Sequence, residues 1–198
     1  MASKIKVDQI QTGDGTGTIA LQNQLSGMTS ASMPTGSVLQ VKQLLLTTPS
    51  SQSLSANTNT VVSGFFLAIT PTSTSSKILV TMQWSGESSL AHDLIFGLQV
   101  LIPFAAIFYP GMPSNIGSRR GGLAQTLTSY TSSDNSTTME SASFSILYSP
   151  NSTESITHKV FANHKDAVTL FNQRSVSDTD ATSRERIPST LQLMEIAG

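Results

Sequence analysis

The chain contains no cysteine among its 198 residues. It therefore cannot form a disulfide bond, a thiolate nucleophile or a zinc site with cysteine ligands. A chain without disulfides also suits assembly in a reducing cytoplasm.

Charge is scarce as well, because 11 Lys and Arg residues and 12 Asp and Glu residues leave a net charge of −1. Such a chain has no basic field, and we expect no nucleic-acid partner. With so few charges, solubility must rest on hydroxyl and amide groups and on the burial of surface in an assembly. This composition favours an oligomer or a particle component over a free monomeric enzyme.

Long hydrophobic runs are missing too. The segment Met1–Lys6 lacks the apolar stretch of a signal peptide. The most apolar region, Leu94–Tyr109, is interrupted by Gly97, Gln99 and Pro103, and it is too short to span a bilayer. We therefore expect no membrane insertion.

The side chains that usually carry chemistry do not form a recognisable site. His158 and His164 are too far apart for a metal pair on one strand. His158 lies on an otherwise apolar face, so it is interpreted as a core or interface residue, with a metal ligand as the alternative. There is no Gly-x-Ser-x-Gly nucleophile motif, and the sparse carboxylates do not suggest a glycosidase pair. We expect no catalytic, cofactor-binding or metal site, and no enzymatic activity.

What the chain does contain is a series of segments in which apolar and polar residues alternate, as in half-buried β-strands. No helical periodicity separates them, so antiparallel pairing is expected. The fold class is predicted as all-β: an antiparallel β-sandwich of jelly-roll type, with another closed β topology as the alternative. The predicted strands are Ser37–Thr48, Thr60–Thr70, Lys77–Ser85, His92–Phe104, Leu123–Tyr130, Met139–Tyr148, Ser155–Ala162, Val168–Phe171 and Thr190–Ile196, and Pro49–Asn59 is predicted as a loop.

The segment Ser32–Gln43 marks a joint in the chain, because Pro34 and Gly36 are turn residues and Val38 begins a strand. Residues 1–35 are predicted to be an extended N-terminal attachment and assembly arm, and residues 36–198 the β-sandwich domain. The arm is too short and too rich in Gly and Ser to hold a core of its own. Its apolar residues are the candidates for attachment: Ile5, Val7, Ile10, Ile19 and Leu21.

Two loops carry the densest charge. Arg119 and Arg120 lie in the loop Gly111–Gly122, and Arg184 and Arg186 lie in the loop Gln173–Ile187. These arginines are either solvated or paired with a neighbouring subunit, or they contact an anionic partner such as a surface polysaccharide or an acidic neighbouring subunit.

Several stretches resemble a known class of proteins. They are Ser3–Gln11 (SKIKVDQIQ), followed by Gly15-Thr16-Gly17; the joint Met33–Val41 (MPTGSVLQV); the turn and strand Ile69–Val80 (ITPTSTSSKILV); and the end Ser189–Ile196 (STLQLMEI). They are similar to stretches of virion structural proteins of tailed phages that infect cyanobacteria and other aquatic bacteria. Such proteins are usually described as fibre-like or capsid-associated.

The resemblance implies a non-enzymatic virion component, assembled in the host cytoplasm and attached through its arm to other capsid, neck or tail proteins. Because trimers are common among phage fibres and decoration proteins, it also implies a homotrimer. The alternative is a tail-fibre tip that binds a receptor or glycan and mediates adsorption to the host.

Overall fold

The structure is a computed structural model that describes residues 33–90, 92–114, 117–126 and 137–198. These residues form ten β-strands, and none of them belongs to a helix that could cross a membrane. The strands are β1 (Val38–Leu46), β2 (Ser50–Leu54), β3 (Thr60–Ile69), β4 (Lys77–Ser88), β5 (Ile95–Leu101), β6 (Ala124–Gln125), β7 (Glu140–Tyr148), β8 (Ile156–Asn163), β9 (Val168–Asn172) and β10 (Ser189–Ile196).

The strands form two antiparallel sheets around one core. The first sheet has the order β1-β10-β4-β9-β2, and β7 pairs with the other edge of β4. The second has the order β3-β8-β5-β6. The prediction of an all-β, antiparallel sandwich is thereby confirmed.

Strand β4 is long enough for two strands to share one of its edges. Strand β10 pairs with Lys77–Gln83, and β9 pairs with Gly86–Ser88. At the junction, the backbone N–H of Gln173 donates to the carbonyl of Ser85, and the N–H of Ser85 donates to the Ser189 hydroxyl. These bonds satisfy the backbone where neither strand continues the ladder.

The core confirms the alternation that the sequence shows on several strands. Ile78, Val80, Met82 and Trp84 of β4 are all fully buried. The Trp84 ring lies 4.6 Å from that of Phe96 on β5, centroid to centroid, so the two sheets meet there. The buried indole N–H donates to Oδ1 of Asn172 at 2.8 Å, which satisfies the one polar group of this anchor.

Two details of the predicted strands are wrong. The sequence places Val62 and Phe66 of β3 on the same face, but Val62 is buried whereas Phe66 is 51% exposed. Between Val61 and Phe66, where Gly64 has a φ of +72°, β3 advances five residues while β8 advances two, and these three extra residues invert the alternation. The predicted loop Pro49–Asn59 contains β2, which pairs with β9 although its sequence is almost entirely polar.

The predicted strand Leu123–Tyr130 is shorter where the structure describes it, because β6 covers Ala124–Gln125 and residues 127–130 lie outside the described residues. The arm residues Ile5, Val7, Ile10, Ile19 and Leu21 also lie outside them.

Candidate functional site

The predicted joint lies where the chain enters the sandwich. The carbonyl of Pro34 accepts from the N–H of Ser37 at 3.0 Å, and Gly36 has a φ of +90°, which the third residue of a type II turn requires. The N–H of Gly36 then donates to the carbonyl of Ala197, and the N–H of Ala197 donates to the carbonyl of Ser37, both at 2.8 Å. The base of the arm is therefore fixed to the end of β10.

A buried carboxylate lies next to this turn. Glu195 points to the core side of β10, in alternation with Leu191 and Leu193, and it is fully buried. Its Oε1 accepts from the backbone N–H of Thr72 at 2.6 Å, from the hydroxyl of Thr72 at 2.7 Å and from that of Ser76 at 2.7 Å. Its Oε2 accepts from the side-chain amide of Gln40 at 2.6 Å.

These four donors keep the carboxylate charged. Burial raises the pKa of Glu195, but the hydrogen bonds from Gln40, Ser76 and Thr72 together outweigh burial and lower its pKa below the ordinary value. All four of these donors are uncharged, so dipoles stabilise the charge. We call Glu195 with Gln40, Thr72 and Ser76 the arm-base cluster.

A cleft of about 280 Å³ opens beside the arm-base cluster. Apolar groups from Met33 and Leu39 line one part of it, and hydroxyl groups line another. The complete lining is Met33, Leu39, Thr72, Ser73, Ser75, Ser76, Ala197 and Gly198. The residue at which the described chain begins thus lies in a depression of the surface.

The arm-base cluster joins three of the stretches on which the expectation of a virion protein rests. Gln40 belongs to the joint, Thr72 and Ser76 belong to the turn after β3, and Glu195 belongs to the C-terminal strand. The motifs are distant in sequence, yet they form one hydrogen-bonded unit at the base of the arm.

The arginines in the first charged loop differ in their surroundings. Arg119 is exposed. The side chain of Arg120 is only 19% exposed, donates to the carbonyls of Asp93 and Asn163, and lies 3.4 Å from the Asp93 carboxylate. Arg120 therefore holds its loop against the start of β5 and the end of β8.

The second charged loop is also closed by its own side chains. Arg186 pairs with Asp178, which also lies 3.3 Å from Arg174. Arg184 donates to the hydroxyls of Ser177 and Ser183 at 3.2 and 2.8 Å. Arg120, Arg184 and Arg186 all have partners within the chain, and the structure does not bring the two loops' arginines into one described site.

The histidines have structural surroundings. His158 is fully buried, and its Nε2 lies 2.5 Å from the Tyr148 hydroxyl. Burial lowers the pKa of His158 to about 4, although the backbone at Leu67 and Ile156 favours the charged form. Burial also raises the pKa of Tyr148, so the hydroxyl donates to a neutral imidazole at pH 7. Among the described residues, no group of three or more His, Asp or Glu side chains is arranged to hold a metal ion.

Comparison with known proteins adds no assignment: the chain matches no protein-family model, and no curated protein matches it significantly.

Sequence reasoning did not single out Glu195. The signal was there, because a Glu on the core side of the apolar alternation in β10 needs several donors, and Thr and Ser are dense in the turn after β3. Neither the composition nor the spacing indicates that these two segments are neighbours.

Proposed function

We propose that this chain is a non-enzymatic structural component of a tailed-phage virion, attached to its particle through the N-terminal arm. The observation that carries the proposal is the arm-base cluster, in which three of the stretches similar to virion proteins meet. A side-chain network at the base of an arm fixes the direction in which the arm leaves the domain. Such control of direction is what an attached particle protein needs.

The strand order supports the same proposal. Strands β1, β10, β4 and β7 face β3, β8, β5 and β6, and each sheet interleaves early and late strands. We propose that this is a jelly roll, with β2 and β9 as additions, because two interleaved Greek keys produce this order. Jelly rolls are common in capsid proteins, although the fold alone does not determine a function.

Attachment would work through buried apolar area. The apolar residues Ile5, Val7, Ile10, Ile19 and Leu21 would fill a groove on a capsid, neck or tail protein, aided by strand pairing. Each fully buried Val, Leu or Ile side chain contributes about 1.5–3 kcal/mol before the cost of ordering the arm. The β-sandwich domain would form a homotrimeric fibre or decoration that projects from the particle.

Deleting residues 2–32 tests this role. We expect the truncated chain to fold, since every residue of the described core follows Met33, but to be absent from purified virions. Incorporation is measured by immunoblotting particles that were assembled with the truncated chain in place of the full one. The matched control replaces Thr12, Thr16 and Thr18 by Ser and should be incorporated normally. Normal incorporation of the truncated chain would refute attachment by the arm.

A second function, host recognition, is favoured by one surface feature. The hairpin after β5 is closed by two hydrogen bonds between Val100 and Phe108, at 2.9 and 3.2 Å. Phe104 at its tip is completely exposed and has a φ of +61°, which a bulky residue rarely adopts. Ile107 and Tyr109 are also exposed nearby. An exposed aromatic ring on a closed hairpin is the kind of group that stacks on a sugar of a host glycan.

Replacing Phe104 by Ser separates this function from attachment. If the hairpin recognises the host, the Phe104→Ser variant should bind host cells or immobilised host polysaccharide at least about 10-fold more weakly. Phe66→Ser is the matched control, because Phe66 is 51% exposed and lies on β3, two strands from β5 in the same sheet. No binding by the unsubstituted protein, or equal loss in both variants, would reject host recognition through Phe104.

A further inference from the structure

The outward-facing side chains of β1, β10, β4 and β7 form what we call the outer face. Val41, Met194, Leu79 and Leu147 are successive partners across the four strands, so they form one apolar row in register. Val41 and Leu147, at its two ends, are each 51% exposed, and Leu79 and Met194 are half-buried. The row crosses the full width of the sheet.

The rest of the outer face is almost free of charge. The next row consists of Gln43, Gln192, Thr81 and Ser145, and the row beyond it of Leu45, Thr190, Gln83 and Ser143. On the other side of the apolar row, Val38 pairs with Ile196, and Ile196 with Lys77. Within these four described rows, only Lys77 carries a charge.

Such a face is unusual for a sheet that remains in water. The solvent side of an antiparallel sheet is normally polar, and charged residues are depleted chiefly in the centres of protein interfaces. A binding surface for an acidic or basic partner protein would carry charges of the opposite sign. In the four rows of the outer face, Lys77 at the corner is the one charged side chain. An uncharged surface of hydroxyls, amides and apolar groups matches a second copy of itself without charge repulsion.

Joining two sheets edge to edge is less suitable. The free edge of β1 carries Lys42, which is exposed and would bring like charges together at a paired edge. The free edge of β3 in the other sheet is interrupted by the bulge at Gly64. Both features protect these two edges from adding a strand. Compared with pairing at either of them, contact through the outer face is the better route to self-association.

The size of the face fits a subunit contact. Four strands spaced by about 4.8 Å and four rows about 7 Å apart give roughly 500 Å² per copy. A stable interface buries about 800 Å² per partner. The outer face can thus supply the larger part of such a contact.

We infer that copies of this chain associate through the outer face, with the apolar row of Val41, Met194, Leu79 and Leu147 at the centre of the contact. This inference rests on the proposed homotrimer, and it names the surface through which the subunits would contact each other. It does not depend on which particle the arm binds.

The test is the oligomeric state of the full-length chain, measured by sedimentation velocity over a range of concentrations. The unsubstituted chain should form the proposed homotrimer, with the three outer faces arranged around a common axis. In the variant Val41→Lys with Leu147→Lys, the dissociation constant of the subunits should rise by at least about 100-fold. Both positions are half exposed in the subunit, so circular dichroism should show an unchanged fold. The matched control is Phe66→Lys, equally exposed on the other sheet, and it should associate normally.

Three results would overturn the inference. They are a monomeric unsubstituted chain, an oligomer that the Val41→Lys, Leu147→Lys variant preserves, and a monomer that associates only when residues 2–32 are deleted. The last would assign the outer face to the chain's own arm. Failure here leaves attachment by the arm to be judged by particle incorporation, so the two proposals can fail separately.

Discussion

The Glu195→Gln variant is expected to lose about 2–3 kcal/mol of unfolding free energy, although it changes only one oxygen to an amide nitrogen. All groups that contact the carboxylate are donors, at Gln40, Thr72 and Ser76. The NH2 group of the new amide would face donors in either orientation. At the position of Oε1 it would meet three donors, and at the position of Oε2 it would meet one. Gln40 cannot easily turn to accept, because its amide nitrogen also donates to the carbonyl of Thr70 at 2.7 Å.

Urea denaturation at pH 7 measures this loss, and a drop of about 5–10 °C in the midpoint of thermal unfolding should accompany it. Glu154→Gln is the matched control, since Glu154 is exposed and the same chemical change there should alter stability by less than about 0.5 kcal/mol. Equal stability of the Glu195 and Glu154 variants would show that the arm-base cluster does not stabilise the fold.

Acid is expected to destabilise the domain through His158. Its pKa is about 4 in the folded chain against an ordinary value of 6.5, so the unfolded chain binds more protons between these values. Stability therefore falls as the pH drops through that window. Between pH 7 and pH 5 the expected loss is about 2 kcal/mol. Glu195 adds little above pH 5, because a carboxyl with a lowered pKa loses its contribution only below its ordinary value of 4.5.

The measurement is the urea midpoint at pH 7 and pH 5 for the unsubstituted chain and for His158→Gln. The His158 variant should be less stable at pH 7, because it disrupts the bond with the Tyr148 hydroxyl, but the difference between the two pH values should shrink to less than half. His92→Gln, at an exposed histidine, should keep the full difference. A pH difference that persists in His158→Gln would assign the acid sensitivity to other groups.

Much of the fold could be predicted because a β-strand has a period of two. The alternation of Ile78, Val80, Met82 and Trp84 gives the buried side of β4 directly, and the same reasoning holds for β5 and β8. The reasoning fails where the period is broken, as at the bulge before Phe65. It also fails at β2, whose polar strand Ser50–Leu54 exists because β9 offers it an edge.

The arm-base cluster could not be predicted for a different reason. The donors to Glu195 lie 119, 123 and 155 residues away along the chain, at Ser76, Thr72 and Gln40. No local pattern encodes a contact over such a separation. The exposed tip at Phe104 was not predicted either, because the predicted strand His92–Phe104 includes this residue.

The position of the arm base at the end of the outer face has a consequence for avidity. The turn at Gly36 joins Ala197 directly beyond the row that contains Val38 and Ile196. Copies that associate through the outer face around an axis parallel to their strands would start their arms from one neighbourhood. Once one arm is bound, the next meets its site at an effective concentration in the millimolar range, as for modules on short flexible linkers. Individually weak arms would then hold the assembly on a particle while a lone subunit dissociates, so only assembled subunits would be retained.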